Sequence, residues 1–210
     1  SLKFDAAYFR KRLKLNSNEK LLVAGSTHPG EEKIMLEVYK DLLSSHPGIR
    51  LLIAPRHPER ARQVETLVSD AGFIPQKISL LRDAASFKGS VFILDTVGEL
   101  VSFYCAADVV FMGKSLVKGG GQNILEPSFA GKPVIFGPLM NNFRDITQLF
   151  LDNKAAIMIN NAEELKQAID GLLGNKIDAK ALIDNANKVI AINKGATKRN
   201  IDLIRNFIVA

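Results

Sequence analysis

Leu21-Leu22-Val23-Ala24-Gly25-Ser26-Thr27-His28-Pro29-Gly30 is the stretch on which the fold turns. Four apolar residues run together without alternation, and a polar, glycine-bearing loop follows. A strand that is apolar throughout is buried on both faces, as in a parallel sheet covered by helices. Pro29 suits the first position of a helix, and Glu31 and Glu32 sit near the positive end of its dipole. The stretch therefore predicts strand, loop and helix, with the helix running to about Ser45.

The same unit recurs on either side. Leu51-Leu52-Ile53-Ala54 precedes Pro55-Arg56-His57-Pro58 and a helix to about Ala71. A weaker strand is expected near Lys77–Leu81. Val91-Phe92-Ile93-Leu94 precedes Asp95-Thr96-Val97-Gly98 and a helix to about Ala106. Val109-Val110-Phe111-Met112 precedes a glycine-rich loop and a helix to about Ala130. Pro133-Val134-Ile135-Phe136 precedes a further loop and a helix around Arg144–Leu151, and Ala156–Ile159 reads as a last short strand. This repetition predicts an α/β domain, a doubly wound parallel sheet. Beyond it, three apolar stripes at helical spacing predict extra C-terminal helices. They are Leu165/Ile169/Leu172/Leu173, Leu182/Ile183/Ala186/Val189/Ile190 and Ile201/Ile204/Phe207/Ile208, with Gly171 and Gly174-Asn175 as turn residues between them.

The bulk numbers fit this reading. A chain of 210 residues suits one large domain, residues 1–210, able to bury a core without metal or disulfide staples. The single cysteine, Cys105, excludes an intramolecular disulfide and reads as a buried thiol. No stretch approaches the ~18 apolar residues of a membrane span, no signal peptide is visible, and the expectation is a cytosolic protein. The opening Ser1-Leu2, in place of methionine, reads as the start of an excised piece. The net charge of +6, from 28 basic and 22 acidic residues, suits anionic partners. The basic residues form no block and do not interleave with aromatics, so nucleic acid is not expected as a partner.

In open α/β sheets ligands bind beyond the carboxyl ends of the strands, and the polar residues of this chain collect there. Ser26, Thr27 and His28 follow the first strand, Arg56 and His57 the second. Asp95, Thr96, Gly98 and Glu99 follow the fourth, Gly113 to Glu126 the fifth and Asn141 to Asp145 the sixth. Helix starts alone account for part of this pattern. Thr96-x-x-Glu99 and Asn123-x-x-Glu126 both have capping-box spacing, although Pro127 crowds the second. Gly119-Gly120-Gly121 is harder to read as structure alone. Three glycines cost backbone entropy, which is offset when a ligand must approach the backbone and amides must face a phosphate. Gly113-Lys114-Ser115 is not a phosphate-binding P-loop, because Asp108 stands where that motif needs glycine. His28, His46 and His57 show no metal-ligand spacing, and no metal is expected.

Taken in order, these loops resemble the C-terminal half of the 3-deoxy-manno-octulosonic acid (Kdo) transferase family. The resemblance is carried by Ala24-Gly25-Ser26-Thr27-His28-Pro29-Gly30-Glu31-Glu32, Pro55-Arg56-His57-Pro58-Glu59-Arg60, Asp95-Thr96-Val97-Gly98-Glu99-Leu100 and Tyr104-x-x-Ala107-Asp108. It continues through Ser115-Leu116-Val117, Gly120-Gly121-x-Asn123-x-Leu125-Glu126-Pro127, Gly131–Pro138 and Asn142-Phe143-Arg144-Asp145-Ile146. Lys114, where the family pattern leads one to expect glycine, and Gln122 and Leu139, where it leads one to expect histidine, depart from it.

The resemblance implies a Rossmann-like, GT-B glycosyltransferase C-terminal domain that binds the nucleotide-sugar donor CMP-Kdo. It further implies an acceptor-binding half, preceding residue 1, that supplies the catalytic base, so no catalytic residue is expected in this chain and the fragment alone should be inactive. Transfer to a lipid A precursor in lipopolysaccharide biosynthesis, without cofactor or metal, would occur in a full enzyme held peripherally on the cytoplasmic face of the bacterial inner membrane. The donor-binding residues expected are Ser26, Thr27, Arg56, His57, Gly98, Glu99, Ser115, Gly120, Gly121, Asn123 and Glu126. Arg56 suits a bidentate grip on phosphodiester or carboxylate, and Gly120-Gly121 amides suit the phosphate charge that grows as CMP leaves. Glu126 suits the ribose hydroxyls, His57 a phosphate oxygen, and Ser26, Thr27 and Asn123 the orientation of sugar or phosphate. Two other readings of the same loops stand beside this one: another GT-B enzyme acting on a UDP-sugar, whether transferase or epimerase, and a non-catalytic nucleotide-sugar-binding domain.

Overall fold

The computed structural model of the chain describes residues 5–81, 91–175 and 177–192. In chain order its elements are α1 (Ala6–Arg12), β1 (Lys20–Thr27), α2 (Glu31–Ser45), β2 (Ile49–Pro55), α3 (Ala61–Asp70), β3 (Pro75–Lys77), β4 (Val91–Ile93) and α4 (Leu100–Ala106). There follow β5 (Val109–Met112), α5 (Leu125–Phe129), β6 (Val134–Phe136), α6 (Arg144–Asp152), β7 (Ile157–Met158) and α7 (Ala162–Leu173). A last helix, α8, covers 179–192. The seven strands form one parallel sheet in the order β3-β4-β2-β1-β5-β6-β7. The chain winds outward from β1 through β2, then crosses back to begin again at β5. The direction of winding reverses between β1 and β5, and the crevice at that point is where such sheets bind ligands.

The uniformly apolar strands are explained by helices on both faces. Successive side chains of a strand point to opposite faces. Leu21 and Val23 pack with Phe9, Phe103, Tyr104 and Phe150 on one side. Leu22 and Ala24 pack with Met35, Tyr39, Leu42 and Ile169 on the other. The doubly wound parallel sheet expected from the sequence is thus the fold observed.

Several boundaries differ from expectation. The weak strand lies at Pro75–Lys77 and is followed by a 3-10 turn over Ile78–Leu80. Its register against Val91–Ile93 puts proline first on an edge strand, where the missing N–H is tolerated, and the turn drives Ile78 into the core. The helix after the glycine-rich loop is only Leu125–Phe129. Gly171 is no turn residue: it lies inside α7, where a Cβ would stand 2.7 Å from the Ile177 side chain. Cys105 is partly exposed, because α4 turns Phe103, Tyr104 and Ala106 inward. Two of the three expected tail helices are α7 and α8; the stripe from Ile201 to Ile208 lies outside the described residues.

The sequence reading did not foresee α1. Asp5 caps it by accepting the Tyr8 amide at 3.1 Å, and Phe9 and Leu13 bury its inner face. Arg10 fixes it beside the amino end of the central strand β5 through the Ala106 carbonyl (3.0 Å) and Asp108 (2.9 Å).

Candidate functional site

At the switch point the loops after β1 and β5 meet backbone to backbone. The Gly113 amide donates to the Gly25 carbonyl at 2.8 Å. A Cβ on Gly113 would stand 2.6 Å from both the Ser26 oxygen and the Thr27 Cα, so no larger residue fits without moving main chain. The register of β1 slips between Gly25 and Thr27, and Ser26 there takes a left-handed conformation (φ +54°). Tyr104 from α4 lies fully buried beneath, its hydroxyl donating to the Met112 sulfur at 3.9 Å. Burial first, and then the nearby Glu126 charge, push the phenol pKa far up, while a hydrogen bond with the Ser26 side chain works the other way. Tyr104 is therefore a neutral floor for the site.

Above it opens a cleft of about 400 Å³ lined by Ser26, Arg56, Gly98, Asn123 and Glu126, with Tyr104, Leu100, Val101, Met112 and Gln122 completing the walls. Arg56 is fixed by its main chain, whose amide donates to the Thr27 carbonyl at 3.0 Å. Its guanidinium is exposed and has no side-chain partner among the described residues. Glu126, in the first turn of α5, likewise has a carboxylate without a hydrogen-bond partner among the described residues. Asn123 Oδ1 accepts the Leu125 amide at 3.0 Å, which turns the chain into α5. Gly98 (φ +84°) takes a conformation that other residues rarely adopt.

Neither capping-box spacing forms a box. The N-cap of α4 is Glu99 itself and that of α5 is Ile124, and neither makes a side-chain cap. Thr96 instead donates its hydroxyl to the Glu99 carboxylate, whose other oxygen pairs with Arg12 of α1. A box-like cap does form at α7 among the described residues: the N-cap Asn161 accepts the Glu164 amide through Oδ1 at 2.9 Å, and Glu164 reaches back to the amide of Asn160, one residue before the cap, at 2.8 Å.

Of the eleven residues singled out from the sequence, five line the cleft: Ser26, Arg56, Gly98, Asn123 and Glu126. The other six lie elsewhere. Thr27 is fully buried and donates to Glu32 Oε1 at 2.9 Å; Arg60 reaches the same oxygen at 2.8 Å, and Glu32 Oε2 is buried with no partner among the described residues. Ser115 is also fully buried. Its hydroxyl donates to the Met112 carbonyl (2.6 Å) and accepts the Gly137 amide (2.8 Å). Glu99 is held by Arg12. His57 is exposed beside Glu59 and its ring meets that of His28 edge-on, centroids 6.1 Å apart.

Of the two glycines expected to present amides to a phosphate, Gly121 has its amide engaged within the loop, whereas Gly120 is engaged through its carbonyl. The Gly121 amide donates to the Lys114 carbonyl at 2.8 Å, and the Gly120 carbonyl accepts the Asn142 amide at 2.9 Å. Gly120 lines a second, shallower hollow of about 350 Å³ with Lys118, Gly119, Leu139, Asn141 and Asn142. Two of the departures from the family pattern lie on these surfaces, Gln122 in the cleft and Leu139 in the hollow. The third, Lys114, has φ +59°, a left-handed conformation that favours glycine. Sequence reasoning passed over Glu31, whose carboxylate accepts amides from the loop after β5. Its acidic type at a helix start was the only local signal. Among the described residues no group of three His, Cys, Asp or Glu side chains could hold a metal ion, and no helix is long and apolar enough to cross a membrane.

Comparison with known proteins bears on what this cleft serves. The family model described as "Glycosyl transferases group 1" matches residues 7–189. A 3-deoxy-D-manno-octulosonic acid transferase of Haemophilus influenzae is 34% identical over 191 residues, covering 89% of this chain and 44% of that protein. A bifunctional glycosyltransferase/methyltransferase of Fusobacterium nucleatum is 35% identical over 188 residues, covering 88% of this chain and 29% of that protein. The chain thus spans less than half the length of these relatives. The crystal structure of the C-terminal CMP-Kdo binding domain of WaaA from Acinetobacter baumannii superposes with a TM-score of 0.82 at 29% identity, over 90% of this chain and 97% of that one. The chain belongs to the glycosyl transferases group 1 family, and its sequence and fold are those of a relative of the C-terminal domain of Kdo transferases.

Proposed function

We propose that this chain is the donor-binding domain of a Kdo transferase and that the cleft at the β1/β5 switch point receives CMP-Kdo. One observation carries the reading: Arg56 and Glu126, a cation and an anion without side-chain partners among the described residues, face one cleft at the switch point of a fold that superposes on a CMP-Kdo binding domain. Arg56 grips the phosphodiester or the sugar-acid carboxylate through paired N–H donors. Glu126 accepts hydrogen bonds from the ribose hydroxyls. Ser26 and Asn123 orient the donor, and the cleft wall around Gly98 admits it closely because no side chain intervenes. As CMP leaves, the growing phosphate charge is met by Arg56, since the Gly121 amide is already engaged.

The catalytic base and the lipid A precursor site belong to an acceptor half outside this chain. The complete enzyme works without cofactor or metal on the cytoplasmic face of the bacterial inner membrane, in lipopolysaccharide biosynthesis. Titration calorimetry with CMP, UMP and a UDP-sugar tests the reading. CMP should bind most tightly, and the isolated chain should transfer no sugar. Tighter binding of the UDP-sugar would sink the Kdo assignment and leave the fold untouched.

A further inference from the structure

We propose that Glu31 is a positioning residue for the donor cleft: its carboxylate takes the place of a bound anion in the amide nest behind β5 and so fixes the two loops between which the cleft opens. The inference rests on the donor-cleft reading above. Glu31 begins α2 and is 1% exposed. A carboxylate is seldom this buried without a compensating partner. Here the partners are four backbone amides. Oε2 accepts from His28 (2.9 Å) and Lys114 (2.6 Å), and Oε1 accepts from Ser115 (2.9 Å) and Leu116 (3.0 Å).

The three consecutive amides converge because Lys114 is left-handed. Such a turn makes an anion-binding concavity, and the positive end of α2 adds to it. A concavity of this kind beside a switch point is an expected place for a ligand's anionic group. In this chain it is filled by the protein's own side chain. The amides of Lys114, Ser115 and Leu116 are thereby removed from the donor's reach.

The same contacts join the two sides of the cleft. His28 belongs to the loop that carries Ser26. Lys114, through its carbonyl, holds the Gly121 amide at 2.8 Å, and Gln122 and Asn123 of the cleft wall follow directly in sequence. A shift of the carboxylate would therefore move both walls. Glutamine is not a conservative replacement, because each carboxylate oxygen accepts two N–H groups and an amide NH2 can accept none.

The test uses Glu31→Gln, Glu31→Asp and, as a control, Val64→Ala, which trims the core under α3. Two readouts are taken on the 210-residue chain: residue-resolved amide hydrogen exchange without nucleotide, and CMP affinity well below the melting temperature. Glu31→Gln should speed exchange at residues 114, 115, 116 and 121 and weaken CMP binding by at least about tenfold. Glu31→Asp, which keeps the charge on a shorter stem, should fall between it and wild type. Val64→Ala should lower the melting temperature and leave CMP affinity alone. Glu31→Gln behaving like Val64→Ala, less stable yet binding CMP as wild type does, would overturn the proposal. If the glutamine variant does not fold, unchanged exchange and affinity in Glu31→Asp overturns it equally. Wild-type chain that fails to bind CMP overturns the donor reading instead, and the exchange measurement still decides whether Glu31 holds the loop.

Discussion

The loop after β5 and the cleft beside it are built from the same kinds of residue and arranged in opposite ways. At the start of the loop the polar groups close on the protein: Glu31 of α2 takes four amides, Ser115 takes one and gives one, and Gly121 binds Lys114. In the cleft the charged groups stay open, with Arg56 and Glu126 lacking side-chain partners among the described residues. Buried polar groups must be satisfied where they lie, whereas exposed ones can wait for a ligand. The difference separates scaffold from candidate contact, and it does so for residues that look alike in sequence.

The comparison can be broken most directly at Glu126. Hydrogen bonds to charged groups contribute roughly 1.5–3 kcal/mol, so Glu126→Gln should weaken CMP binding on the order of ten- to a hundredfold while the ligand-free melting temperature barely moves. Glu99→Gln makes the matched comparison. Its carboxylate is already held by Arg12 and Thr96, so its effect should fall on stability, with CMP affinity kept. Calorimetry and a melting curve on each variant decide the matter, and unchanged CMP affinity at Glu126 would move the ribose contact elsewhere.

Thr27 sharpens the comparison from the scaffold side. Thr27→Val removes one of the two donors to a fully buried Glu32 oxygen, which should cost roughly 1.5–3 kcal/mol of stability. CMP affinity should not change, and a loss of affinity at unchanged stability would place Thr27 among the ligand contacts after all.

The smallest effect is expected at Glu164, far from the cleft. Its pKa is lowered below the ordinary 4.5, first by the Asn160 backbone amide and then by the Asn160 side chain. A carboxylate with a lowered folded pKa stabilises the fold above its unfolded pKa, and that contribution is lost as pH falls through the folded value. Wild type and Glu164→Gln should therefore differ slightly in melting temperature at neutral pH and converge in acid below pH 4.5. A gap that persists there would contradict the capping role.

Much of the fold was legible because its signals are local. Uniform apolar runs, glycine and proline punctuation and helical stripes each lie within one element, and they marked six of the seven strands to within a few residues. The misses have causes that lie far away along the chain. The helix α1 is short, basic and held by Arg10 to residues nearly a hundred positions away, at |i−j| of 96 and 98. The edge strand at Pro75–Lys77 owes its place to pairing with β4, and its own composition does not announce it. The capping boxes fared worse, since Thr96/Glu99 and Asn161/Glu164 have the same spacing and only the second is used.

The sequence by itself determined the series of strands and helices, the collection of polar residues at one edge of the sheet and the resemblance to a transferase family, because each of these is written in periodicity, composition and motif order. Only the tertiary structure decided which of those polar residues face the cleft and which face each other. Glu31 meets Ser115 across 84 positions of chain, and Arg12 meets Glu99 across 87. The free energy that sorts them is that of burying a polar group, and it depends on what lies opposite in space, which spacing along the chain does not encode.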